Sequence, residues 1–233
     1  MKKKTRWPLY LIIGLIITFI AFTVPLPYYI EVPGTSEDIR KVLQVNNQAD
    51  QEEGSYQFVT VGVKHARLVD LVYAWLTPFT DIRSAKEMTG GSSDAEFMRI
   101  NQFYMETSQN MAKYQGLKSA GKEIELKYLG VYVLTVTDNS TFKGILNIAD
   151  TVTAVNDKTF ESSKEMVDYV NSQTLGDKVK VTYQEDGKVK TAEGKIITLE
   201  NGKNGIGIGL IDRTEVSSDV PIKFSTAGIG GPS

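Results

Sequence analysis

The chain has 233 residues, 41% of them hydrophobic and 23% charged, with a formal net charge of -2, no cysteine and a single histidine. This length and balance describe a globular chain of one or two domains. They exclude the clustered basic excess that nucleic acid demands, and the absence of cysteine excludes disulfides, thiolate catalysis and cysteine-ligated zinc.

Lys2, Lys3, Lys4 and Arg6 precede Trp7-Pro8 and an uncharged, apolar run over residues 9–30, and the first acidic residue is Glu31. A run of about 20 apolar residues matches the hydrocarbon thickness of a bilayer, and a cationic flank stays on the cytoplasmic side. Residues 7–30 are therefore expected to anchor the chain in the cell membrane as a single-pass helix. The N-terminus would then be cytoplasmic and the bulk of the chain extracellular. A cleaved signal peptide is the competing reading, but Ala21-Phe22-Thr23 is a poor cleavage site and Pro25 and Pro27 follow it.

Residues 31–125 read as an extracytoplasmic α/β connecting region. Pro33-Gly34 ends an extended segment in a turn, and the polar stretch 44–54 is a loop. Residues 56–63, rich in Val, Phe and Thr, predict a strand. Leu68, Leu71, Val72, Trp75 and Leu76 fall at helical spacing and stop before Pro78. After Gly90-Gly91, Ser93 or Asp94 caps a helix expected to run to about Leu117. His65, beside Lys64 and Arg67, has no Asp-His-Ser order around it and is assigned no role.

Residues 130–136 alternate as a half-buried strand, with 126–129 expected as a loop ahead of it. The segment 146–160 contains two short strand-like pieces and a turn. Ser162-Ser163 caps a helix with Met166, Val167 and Val170 on one face. Val179, Val181 and Tyr183 alternate into Glu185-Asp186-Gly187, a hairpin turn, and the chain returns through Val189 and Thr191.

This order resembles the PDZ domains of bacterial surface and envelope proteases over residues 126–200. The stretch Leu146-Asn147-Ile148-Ala149-Asp150-Thr151-Val152 fits the family's pattern, with Ala149 and Asp157 standing where glycines are usual. The resemblance implies β-augmentation: a peptide adds as a strand along residues 131–136 and the helix 164–171 closes the groove. The amides of Tyr128, Leu129 and Gly130 would receive a terminal carboxylate, with Val131, Val133, Met166 and Val170 lining the groove. Alternation sends about half of these side chains to the core instead.

A polar linker, 200–204, precedes residues 205–211, expected as a strand; Gly205 to Gly209 lacks the Lys-Ser/Thr end of a phosphate loop, so no nucleotide is expected. Residues 221–226 read as a further strand, leading to Gly230-Gly231-Pro232-Ser233. An N-terminal anchor, a Val-Pro-Gly turn, a PDZ domain and Ile229-Gly-Gly-Pro-Ser in this order resemble the SepM-like, PDZ-containing Lon-type serine proteases of Gram-positive bacteria. The resemblance implies that Ser233 is the nucleophile and that the family's general-base lysine lies beyond it; Lys223 does not match that lysine. It also implies ATP-independent peptide hydrolysis, with no cofactor and no metal.

The fold expected is thus α+β, in four parts: a basic tail and transmembrane helix (1–30), a mixed α/β region (31–125), a PDZ-like domain (126–200) and the cut-off start of a Lon-type protease domain (201–233). The residues after Gly205 are too few to fold alone, since domains below about 40 residues seldom do, so an orphan hairpin and an inactive fragment are expected. The alternative function is a membrane-anchored PDZ module that binds peptides and catalyses nothing.

Overall fold

A computed structural model describes residues 6–225. In chain order the elements are α1 (Trp7–Thr23), β1 (Pro25–Asp38), β2 (Leu43–Val45), β3 (Gln57–Arg67), α2 (Leu68–Leu76), β4 (Asp81–Ser84), α3 (Ala85–Thr89) and α4 (Asp94–Ser119). They continue with β5 (Glu125–Val136), β6 (Thr151–Val155), α5 (Ser163–Asn171), β7 (Lys178–Glu185), β8 (Lys188–Lys195), β9 (Ile197–Thr198), β10 (Asn204–Gly205), β11 (Ile208–Ser217) and β12 (Ile222–Phe224). The chain forms two compact units, one from the segments up to Leu43 and Ala49–Asp94, the other from Gln44–Gln48 and from Ala95 onward.

The expected membrane anchor is corrected. Among the described residues no helix is long and apolar enough to cross a membrane. The apolar run of the sequence extends to Ile30, but α1 ends at Thr23 because Pro25 and Pro27 have no backbone N–H to continue a helix. The remainder of the run becomes the start of β1, where Tyr29 and Ile30 are buried between β3 and β4. What reads as one span of residues 7–30 is therefore a 17-residue helix followed by a central strand.

In the first unit β1 pairs with β3 along one edge and with β4 along the other, all antiparallel. The helix expected over residues 68–76 is present, and Asp70 caps it by accepting from the Arg67 amide at 2.9 Å. His65 Nε2 lies 2.7 Å from Asp94, whose other oxygen accepts from the Tyr29 hydroxyl at 2.5 Å. The Tyr29 hydroxyl is pushed up to about 12, first by burial and then by Asp94. Asp94 is held below its ordinary value by these two partners, the Tyr29 hydroxyl foremost.

The second unit is built on a five-stranded antiparallel sheet in the order β11-β5-β6-β7-β8. One face packs on α5: Val131 and Val133 of β5, Val152 and Val155 of β6, and Val179 and Val181 of β7 meet Met166 and Val170 in a single buried cluster with Phe142, Ile196 and Ile206. The hairpin expected at Glu185-Asp186-Gly187 joins β7 to β8, and Asp186 and Gly187 both take positive φ (47° and 77°). That pair of left-handed residues matches the twist of the strands it connects.

Two expectations for this unit change. Residues 126–129, expected as a loop, are the first half of β5 and pair with β11 from Leu126 opposite Val216 to Gly130 opposite Arg213. The segment after Gly205, expected as an orphan hairpin of a further module, supplies β11, which pairs with β5 from Ile208 to Ser217. β12 lies outside this sheet, paired with β2, as do β9 and β10, which pair with each other.

Candidate functional site

The sheet leaves one edge of β11 open, and that edge faces α5. The helix starts where the sequence places it because the Ser162 side chain, in extended backbone, accepts from the Glu165 amide at 3.2 Å. Met166 and Val170, one turn apart, then face the sheet. On the opposite wall Ile208 and Leu210 alternate inward from β11. Between the two elements runs a narrow cleft of about 50 Å³, lined by Met166, Val167, Val170, Ile206, Ile208 and Leu210.

One end of the cleft is closed by the loop Gly205-Ile206-Gly207. Gly207 has a φ of 74°, and a Cβ there would come within 2.5 Å of Thr137 Oγ1 and 2.8 Å of Ser140 Cβ, so neither the conformation nor the space admits a side chain. The loop carbonyls turn into the domain: Ile206 accepts from the buried Ser140 hydroxyl at 2.6 Å and Gly207 from the Thr137 amide at 2.8 Å. The amides of Ile206 and Gly207 have no acceptor among the described residues. Asn204 Nδ2 donates to the Gln173 carbonyl at 2.8 Å, which ties the loop to the segment after α5. Successive amides presented in this way form an anion-binding concavity.

At the other end Asp212 reaches across from β11 and accepts from the Ser163 amide, the first of α5, at 2.8 Å. Favourable placement of a carboxylate at a helix N-terminus holds the two walls together. The Tyr128 hydroxyl is pushed up to about 12, chiefly by burial, with the negative charges of Asp212 and Glu165 adding to it.

The residues expected at the site divide between this cleft and the core. Met166 and Val170 line the cleft. Val131 and Val133 are fully buried in the core cluster, and β5 has no open edge along them: β11 occupies one side, and on the other Val131 faces Val152 while the Val133 amide donates to the Asp150 carbonyl at 2.9 Å. Tyr128, Leu129 and Gly130 lie within β5, where Tyr128 is opposite Thr214 and Gly130 opposite Arg213, rather than in a loop at the end of the cleft. Ser233 lies outside the described residues. Lys223 donates to Asn47 at 2.5 Å.

The sequence reading takes residues 205–211 as a strand but places no site residue on it, and it gives Asp212 no role. A signal was present: glycines at 205 and 207 alternating with Ile206 and Ile208, then Leu210 in phase, describe a tight loop that feeds an alternating strand.

A sheet edge and a capped helix that flank an apolar cleft, with backbone amides presented at one end, define a peptide-binding module. Residues 101–196 match a protein-family model, PDZ_2, the PDZ domain. The chain contains a PDZ domain, and PDZ domains bind peptides. The matched span ends at Ile196, so β11 lies beyond it.

Among solved structures, the chain is similar to the PDZ domain of the SdrC-like protein from Listeria monocytogenes, at 35% identity over 37% of this chain and 93% of that one, with a TM-score of 0.36. The corresponding domain from Listeria innocua is 38% identical over 35% of this chain and 92% of its own, with a TM-score of 0.34. A solution structure from Geobacillus thermodenitrificans is 30% identical over 34% and 94%, with a TM-score of 0.32. No curated protein matches the chain.

Proposed function

We propose that the second unit captures the C-terminal end of an extended polypeptide as a sixth strand along β11, with the terminal carboxylate received by the amides of Ile206 and Gly207. The open edge of β11 beside α5 carries this reading, because main-chain pairing on an edge supplies affinity while flanking pockets select side chains. The apolar walls from Met166, Val170, Ile208 and Leu210 favour an aliphatic last residue. The test is fluorescence polarisation with labelled peptides that end in valine or leucine, as free acids and as C-terminal amides. Amidation should weaken binding at least ten-fold, since it removes the charge that the loop amides face. Equal binding of acid and amide would overturn the carboxylate assignment.

A second reading concerns chemistry. We infer from the segment Ile229-Gly-Gly-Pro-Ser233 that the domain serves a Lon-type serine endopeptidase in which Ser233 is the nucleophile, activated by a lysine base. What supports it is the order of a PDZ domain followed by that segment. Ser233→Ala in a chain that cleaves peptides should abolish turnover and leave peptide binding unchanged. Cleavage that survives the substitution would remove Ser233 from the mechanism.

A further inference from the structure

The outer face of the five-stranded sheet, away from α5, holds a second and larger cavity of about 270 Å³ between α4 and the strands β5, β7 and β11. Its floor is an aromatic stack. Tyr132 alternates away from the core-facing Val131 and Val133, and Phe103 of α4 lies on it with ring centroids 3.7 Å apart and planes 11° from parallel, both rings 6% exposed. The Tyr132 hydroxyl donates to the Arg99 carbonyl at 3.4 Å, which fixes the helix against the sheet. Arg99, Phe103 and Glu106 stand at positions i, i+4 and i+7 of α4 and so share the face that looks into the cavity.

Arg213 enters from the opposite side. It sits on β11 opposite Gly130, and because that glycine has no side chain the arginine lies across β5 and donates from Nη1 to Thr151 Oγ1 on β6 at 2.6 Å. Thr151 is 1% exposed. One donor of the planar fork is thereby anchored to a rigid, buried hydroxyl, and the arginine lines the cavity. Neither Arg99 nor Arg213 has a carboxylate within ion-pair distance among the described residues. Glu106 also lines the cavity, but it accepts from Gln102 Nε2 at 3.0 Å, one turn back on its own helix.

We propose that this cavity is a carboxylate-binding site, separate from the peptide cleft, in which Arg99 and Arg213 clamp the two oxygens. A guanidinium fork matches a carboxylate geometrically, and the charge-assisted bonds are stronger than neutral ones. The ligand is a singly charged carboxylate rather than a phosphate dianion, because Glu106 and Asp186 at the same cavity repel a second negative charge.

The test is an amide chemical-shift titration of the whole ¹⁵N-labelled chain at constant ionic strength with three probes: acetate, N-acetyl-glutamyl amide and inorganic phosphate. Saturable shifts are expected at Tyr132, Thr151, Gly187 and Arg213 with both carboxylates. Tighter binding of the glutamyl probe marks the acidic side chain of a polypeptide as the source, and equal binding marks a free small acid. Arg99→Ala, at an exposed helix position, and Arg213→Gln, which keeps a donor for Thr151, should each weaken binding at least ten-fold, with thermal melts recorded to show that both variants are folded. Shifts that do not saturate, phosphate binding tighter than either carboxylate, or folded variants that bind as the parent does would overturn the proposal.

Discussion

Ser140 shows how one hydroxyl can set the geometry of the loop at the end of the cleft. It is buried, donates to the Ile206 carbonyl at 2.6 Å and accepts from the Phe142 amide at 3.1 Å, so a single side chain joins the loop at Gly205–Gly207 to the turn after β5. Ser140→Ala leaves a buried acceptor and a buried donor unmatched, which costs about 1–3 kcal/mol for each unsatisfied group. The expected result is a lower urea midpoint together with weaker peptide binding, because the amides of Ile206 and Gly207 lose their fixed direction. Unchanged affinity in the folded variant would separate the loop from the ligand. Asp150 makes a prediction about pH. Burial pushes its carboxyl above the ordinary value, and the hydrogen bond from the Asn147 amide offsets this only in part. A carboxyl raised in the folded state favours the fold while protonated; that contribution is complete below the unfolded value of about 4 and is lost as pH rises through the folded value. Asp150→Asn removes the burden of the buried charge and keeps an acceptor for Asn147. The variant should therefore melt higher than the parent at neutral pH, and the difference should shrink as the pH is brought below about 4. A difference independent of pH would show that Asp150 acts through packing alone.

The helix α5 is held by two acceptors, its own Ser162 cap and Asp212 from the facing strand. The second has a consequence for binding, since a cleft of about 50 Å³ is too small for a peptide side chain and Asp212 ties its walls together. Asp212→Ala should cost about 1.5–3 kcal/mol of stability, the value of a hydrogen bond to a charged group, yet raise peptide affinity by letting α5 move away from β11. Calorimetry and polarisation on the same variant separate the two effects; a parallel loss of both would show that Asp212 supports the cleft rather than restrains it. The elements most legible in the sequence were those with local signals. The Ser162 cap, the helix stopped before Pro78 and the Asp186-Gly187 turn each depend on neighbours a few residues away, and each lies where it was expected. The end of α1 is not legible in hydropathy, which runs unbroken through Pro25 and Pro27, whereas a residue without an N–H outweighs an apolar composition. The cleft was half legible. Met166 and Val170 follow from the period of one helix, whereas the partner wall depends on Ile208 pairing with Val136, a contact across more than seventy residues that no local pattern encodes.

That long-range pairing determines what counts as the folding unit. A boundary at residue 200, the one the sequence suggests, would remove β11 from the sheet and leave β5 as an edge, although β5 supplies Val131 and Val133 to the centre of the core. It would also remove Ile206, which is buried in that core, and Ile208 and Leu210, which pack against it. A fully buried aliphatic side chain contributes about 1.5–3 kcal/mol, and whole domains are stable by only about 5–15 kcal/mol. Losing Ile206 and the contacts of the half-buried Ile208 and Leu210, together with the pairing along β5, removes a large part of that margin. An exposed β5 edge is in addition a template for pairing with other chains. A chain that ends at Lys203 should therefore lose its cooperative melt or melt at least ten degrees lower than the parent, by the usual relation of a few degrees per kcal/mol, and should elute from size exclusion as aggregates. Peptide binding should vanish with it, since β11 forms one wall of the cleft. A monomeric truncated chain with the parent's melting temperature would show that β11 is an accessory to the sheet, and the proposed peptide site would then have to be sought elsewhere on the domain.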